Sequence, residues 1–251
     1  MEIDDSSVKW IDSGGFVVRL PIATLSTLLL GPGTSITHEA VKVLSAANTT
    51  VCWVGEDSLL FYAVSHSPTS DTRRMRRQME MAADPSQRVA VARRLFAQRF
   101  PDENVESLSI RELMGKEGLR VRASYEAYAK EYGVGWVGRR FVPGQFQMSD
   151  TTNKILTAAN AALYSLVLSA VTATGLSPHI GFIHTGSPLP FIYDIADLYK
   201  DKLCVSFAFQ MTAELGRIYD RKKLLNRFRE TVSDFGLLER LPDDLSRILG
   251  E

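Results

Sequence analysis

Hydrophobic and polar positions fall into two regimes that meet near residue 66. Before that point, short apolar runs sit between turn signals, the pattern of strands. Phe16-Val17-Val18 follows Asp12-Ser13-Gly14-Gly15, and Thr24–Leu30 stops at Gly31-Pro32-Gly33. Thr50–Val54 and Leu59–Val64 flank a turn at Gly55-Glu56-Asp57-Ser58. Between them, Thr37–Ala47 has a helical period, with Thr37 as N-cap and Glu39 where the helix dipole favours negative charge. A small sheet with one helix accounts for this region.

Past the polar segment Ser65–Asp71 the period becomes that of helices. Thr72–Ala83 and Pro85–Phe100 read as arginine-rich amphipathic helices. Ser109–Tyr132 opens with the capping-box pattern Ser109-x-x-Glu112 and closes at Gly133. Asp150–Thr174, capped by Asp150 and ended by Gly175, carries alanine and leucine nearly all round, as a buried central helix does. The predicted fold class is α+β. It has a small N-terminal β-rich domain (1–66), a linker (67–72) and a larger all-α domain (73–251).

Composition adds little: 251 residues, 45% hydrophobic and 23% charged, enough for a real core. The opening MEIDDSSVKW is unlike a secretory signal, and no run approaches the apolar length of a membrane span. Cys52 and Cys204 lie in apolar runs and read as buried thiols. A cytoplasmic protein without membrane attachment is expected. Net charge is zero, which argues against a uniformly basic nucleic-acid binder. Its distribution does not: Arg73, Arg74, Arg76, Arg77, Arg88, Arg93, Arg94 and Arg99 crowd one stretch, and Arg217, Arg221, Lys222, Lys223, Arg227 and Arg229 another. Local basic faces can follow a phosphate backbone, although solvated helix faces explain either cluster as simply.

The stretch richest in chemistry is Ile180–Leu198. If Phe191–Tyr199 is a helix behind Pro188 and Pro190, Asp194 and Asp197 share one face among apolar neighbours. Half-buried carboxylates require a cation, a metal or a proton. With His184 ten residues upstream they form a metal-binding inventory, against the plainer reading of acids neutralised by an arginine. In the Ser109–Tyr132 helix, Gly115 and Gly118 share a smooth face beside Glu117, with Arg120 one turn on. On this motif alone, a close helix crossing with a surface Glu–Arg pair is the expected explanation. Tyr125, Tyr128 and Tyr132 read as core, and His38, His66 and His179 as structural.

These residues carry a resemblance. Glu117-Gly118-Leu119-Arg120-Val121-Arg122-Ala123 with Tyr132-Gly133-Val134 and Gly138-Arg139-Arg140, then Asp150-Thr151-x-Asn153, then Gly181-Phe182-Ile183-His184-Thr185-Gly186 with Tyr193-Asp194-Ile195-Ala196-Asp197, together resemble the CRISPR-associated integrase family, the first Cas protein. The likeness is greatest to the subtype found with type I-E systems and runs from about Asp12 to about Tyr199. It implies a metal-dependent DNA integrase and endonuclease that joins spacer 3′-hydroxyl ends to the CRISPR repeat. It also implies catalytic Glu117, His184, Asp194 and Asp197, with Glu117, His184 and Asp197 holding Mg²⁺ or Mn²⁺ and Asp194 beside them. The DNA-binding set it points to is Arg73, Arg74, Arg76, Arg77, Arg120, Arg122, Arg139, Arg140, Arg221, Lys222 and Arg227. Partners implied are double-stranded DNA, a second copy of the chain, and a dimer of a small ferredoxin-like CRISPR-associated protein. Ser35, Leu60 and Ser187 are neutral where relatives tend to be basic, and relatives open with a further strand and an aromatic residue. A catalytically idle DNA-binding scaffold and a hydrolase of small phosphoesters are the competing readings.

Overall fold

A computed structural model describes residues 1–4, 7–11, 14–25, 27–55, 61–65, 71–101, 104–140, 149–216 and 218–251. Asp12, Ser13, the Glu56–Ser58 part of the predicted turn, Leu60, His66, most of the predicted linker and Arg217 lie outside them.

The N-terminal region holds two three-stranded sheets where the sequence suggested one. Strands β1 (Glu2–Asp4), β2 (Ser7–Ile11) and β3 (Val17–Leu20) form an antiparallel sheet in that order. Strands β4 (Thr27–Leu30), β5 (Thr50–Val54) and β6 (Phe61–Val64) form the second. In the latter, β4 and β5 run parallel, with Leu28 opposite Val51, because helix α1 (His38–Ala46) supplies the crossover that parallel strands need. Thr37 caps α1 as expected, its side chain accepting from the Ala40 amide at 3.2 Å. Val8, Leu30, Leu44 and Val51 make a small shared core between the sheets and α1.

From residue 71 the described elements are helical: α2 (Arg73–Ala83), α3 (Pro85–Arg99), α4 (Ile110–Glu131), α5 (Thr151–Ala173), α6 (Pro190–Ala196), a π-helical stretch at Lys200–Val205 running into α7 (Ser206–Leu215), then α8 (Arg221–Phe235) and α9 (Leu237–Leu249). The α+β reading holds. Both halves of the Ser109–Glu112 capping box form on α4. Helix α5 is central, with Leu156, Leu163, Val167 and Val171 at 0% exposure, each worth roughly 1.5–3 kcal/mol of burial. Contrary to the sequence expectation, α5 is long and apolar enough to cross a membrane, with a mean hydropathy of 1.6 over its most apolar window. That apolarity faces protein, since 67% of the window is buried against the surrounding elements.

Candidate metal and DNA site

The site is assembled by one loop, the C-terminal ends of α3 and α6, the start of the π-helical stretch and the body of α4. Residues 174–184 carry His184, and α2 and α3 brace them from beneath. The Thr174 carbonyl accepts from Arg74 at 3.3 Å. Gln78, wholly buried, donates to the Ser177 and Ile180 carbonyls and accepts from the Ser177 amide. Arg88 Nε donates to the Phe182 carbonyl at 2.9 Å. Gly181 is required by close approach, because a Cβ there would lie 2.7 Å from the His184 carbonyl and from Pro190 Cβ.

Asp194 and Asp197 turn out to do different things. Asp194, 0% exposed on α6, accepts the backbone amides of Phe182 (2.6 Å), Ile183 (3.1 Å) and His184 (2.9 Å) and bonds His184 Nδ1 at 2.7 Å. It ties the loop to α6 and holds the imidazole so that Nε2 is the nitrogen left facing outward. That hydrogen bond raises the His184 pKa against the opposing effect of burial. Asp197, the C-cap of α6, receives the charged neighbours: Lys200 Nζ at 2.6 Å, Arg99 Nη1 at 3.6 Å and His184 Nε2 at 3.7 Å. Burial would lower the pKa of Lys200, but Asp197 and Tyr164 beside it hold it above the ordinary lysine value. Glu117 reaches in from α4 and pairs with Arg99 rather than with Arg120, whose guanidinium lies over the Phe100 ring at 4.6 Å.

Among the described residues no three His, Cys, Asp or Glu side chains stand close enough to enclose a metal unaided. The Arg99 guanidinium is interposed, bonded to Glu117 on one side and facing Asp197 on the other. Sequence reasoning missed Arg99 and Lys200. Lys200 had a legible signal, three residues beyond Asp197 and within one helical turn. Arg99 had none, since it is the last residue of an arginine-rich helix whose other arginines face elsewhere.

A family model described as CRISPR associated protein Cas1 matches residues 1–105 and 98–218. The chain belongs to the Cas1 family. It is 60% identical over its whole length to CRISPR-associated endonuclease Cas1 2 of Chlorobaculum tepidum, covering 85% of that protein. It is 41% identical to CRISPR-associated endonuclease Cas1 of a Clostridium species, over 89% of this chain and 76% of that one. The crystal structure of a TtCas1–DNA complex superposes with a TM-score of 0.78 at 38% identity, covering 98% of this chain and 92% of that one.

Within this Cas1 fold, several motif residues are architectural. Asn153 donates to the Asp150 carboxylate and the Gly138 carbonyl and accepts from Arg139 and the Arg140 amide, knotting the start of α5 to 138–140. The Arg139 guanidinium is further tied to Thr157 at 2.9 Å, while the Arg140 and Arg122 side chains are exposed. Tyr125 stacks on Trp136 at 5.0 Å, as a core residue does. His179 bonds the Pro188 carbonyl and plays no part in the site. Among the described residues nothing lies within 4 Å of a Cβ at Gly115 or Gly118, so they do not show the expected close helix crossing there.

The basic clusters divide. Arg73 pairs with Asp71, Arg74 with Glu251 and Ser246, and Arg77 donates to the Leu249 and Gly250 carbonyls, whereas Arg76 is exposed. On α8, Arg221, Lys223, Arg227 and Arg229 are exposed, with Arg227 near Glu214 and Glu230. The Lys222 side chain is outside the described set.

Proposed function

We propose that this chain is a divalent-metal-dependent DNA integrase and endonuclease of CRISPR adaptation, joining spacer 3′-hydroxyl ends to the CRISPR repeat by phosphodiester transesterification. The observation that carries this reading is that Glu117, from α4, and Asp197 and His184, from α6 and its preceding loop, converge on a site that already binds a cation, the Arg99 guanidinium. Two carboxylates and one imidazole Nε2 form an oxygen-rich donor set suited to Mg²⁺ or Mn²⁺. Glu117, His184 and Asp197 would hold the ion, which when bound stabilises charge developing on the scissile phosphate and helps orient the attacking hydroxyl.

The chain's own residues do the rest. Asp194 keeps the Nδ1 proton of His184 engaged and so fixes the tautomer. Lys200 pairs with Asp197 at 2.6 Å, with the Tyr164 ring 4.9 Å from its ammonium, and lies ready to meet negative charge. Arg76, Arg120, Arg122, Arg140, Arg221, Lys222 and Arg227 form the DNA-facing set, reading backbone rather than sequence. A β-rich domain over 1–66, a linker over 67–72 and a catalytic helical domain over 73–251, pairing with a second copy and with a small ferredoxin-like partner dimer, complete the proposal. The type I-E subtype rests on the motif likeness alone.

The test is strand transfer of a labelled short duplex into a supercoiled repeat plasmid, with the small partner, Mg²⁺ or Mn²⁺, and then chelator. Joining that needs metal and drops by at least about a hundredfold in each of Glu117→Ala, His184→Ala and Asp197→Ala is expected. Binding without joining under either metal favours the idle scaffold. A salt-independent, near-zero DNA affinity favours the small-phosphoester hydrolase.

A further inference from the structure

Arg99 is placed unlike any other arginine among the described residues. Its side chain is 7% exposed, enclosed by the rings of Phe96 and Phe100 at 5.8 and 5.5 Å. One nitrogen, Nη2, is bonded to Glu117, and Nη1 lies 3.6 Å from Asp197, too far for a hydrogen bond. Nε and Nη1 are buried with no hydrogen-bond partner among the described residues. A buried guanidinium with unmet donors carries a desolvation cost that a better acceptor would relieve. Arginine's planar fork suits a phosphate, which offers two oxygens at once.

Charge balance points the same way. Glu117, Asp194 and Asp197 bring three negative charges, and Arg99 and Lys200 two permanent positive ones. Adding a doubly charged ion with both cations in place leaves the pocket net positive. A phosphodiester supplies the one negative charge that restores the balance. A divalent ion between Glu117 and Asp197 would also repel the Arg99 guanidinium that now stands between them.

We propose that Arg99 is a positioning residue that exchanges partners in the reaction cycle. It yields the Glu117 and Asp197 carboxylates to the divalent ion and turns its guanidinium to the DNA phosphate. Metal and DNA are thereby coupled: each binds weakly alone and more tightly with the other. The inference rests on the metal-site reading above, and it adds that Arg99 sets the affinity for metal without touching it. An arginine that merely cements α3 to α4 and α6 would show no such coupling.

Mn²⁺ binding to the full chain, measured by the electron paramagnetic resonance of free Mn²⁺ with and without a short blunt duplex, tests it. Wild type is expected to bind Mn²⁺ weakly alone and about tenfold more tightly with duplex, within the roughly 5–150-fold usual for coupled sites. Arg99→Gln is expected to bind Mn²⁺ about tenfold more tightly than wild type in the absence of DNA and to lose most of the response to duplex. Arg99→Lys retains the charge but cannot bridge both carboxylates, so it falls between the two. It also provides the comparison if Arg99→Gln melts below the working temperature. Equal Mn²⁺ affinities in wild type and both variants, unchanged by duplex but abolished by Glu117→Gln, would overturn the role of Arg99 and leave the metal site standing. Mn²⁺ binding indifferent to Glu117→Gln would instead remove the metal site, and this proposal with it.

Discussion

The two arginine-rich regions look alike as strings of residues and are opposites as structure. On α2 and α3, four arginines bond to other parts of the fold: Arg77 to the Leu249 and Gly250 carbonyls, Arg94 to the Ile248 carbonyl, Arg74 to Thr174 and Glu251, Arg88 to Phe182. Most of them serve the C-terminal end of α9, where unpaired carbonyls and the negative pole of the helix dipole favour cations. On α8 the apolar positions Leu224 and Phe228 are buried, and Arg221, Lys223, Arg227 and Arg229 are exposed. Most of the first set is part of the fold, while Arg221, Lys223, Arg227 and Arg229 lie on the surface. Basic density alone is therefore a poor guide to a nucleic-acid face, because long cationic side chains are also the natural caps for buried carbonyls.

The comparison can be broken most directly through the inward set. Replacing Arg74 and Arg77 together by alanine should cost about 3 kcal/mol or more, at roughly 1.5–3 kcal/mol for each charge-assisted group lost. Denaturant unfolding measures it, and the slope of DNA affinity against salt should stay unchanged. A lowered slope at unchanged stability would place these arginines on DNA.

The outward set should behave in reverse. Arg221→Ala with Arg227→Ala should lower the magnitude of the salt slope by about one for each phosphate contact removed. Stability should move by no more than about 0.5 kcal/mol per site. A filter-binding salt series beside a thermal melt reads both quantities.

A smaller change sharpens the contrast at the bare face of α4, between the two sets. Gly118→Ala has open space for its methyl group and should stabilise the helix by about 1 kcal/mol. If DNA passes close to that smooth face beside Glu117, strand transfer should fall even as the melting temperature rises. A rise in both would mean that the glycines leave no room that DNA uses.

Much of the fold was legible because local rules dominate it. The Thr37 cap, the Ser109–Glu112 box, the Asp150 cap and the apolar length of α5 each name an element boundary without reference to the rest of the chain. The second sheet was less so, since β1 is three residues long and its identity depends on pairing with β2. In the site, His184, Glu117 and the two aspartates could be singled out from residue type and company. Their division of labour could not. Asp194 and Asp197 are three residues apart, yet one faces three backbone amides and the other faces a lysine and an arginine.

What the sequence determined by itself is thus the set of elements, the class of fold and the inventory of reactive groups, because helix period, capping and burial are written in neighbours a few residues apart. Only the tertiary structure decided that Arg99 would stand between Glu117 and Asp197, 18 residues before one and far along the chain from the other. It also decided that Arg74, Arg77 and Arg94 would close the end of α9, more than 150 residues away. Electrostatic partners are chosen by distance in space, and nothing in a local pattern records which buried carbonyl or carboxylate a long side chain will find.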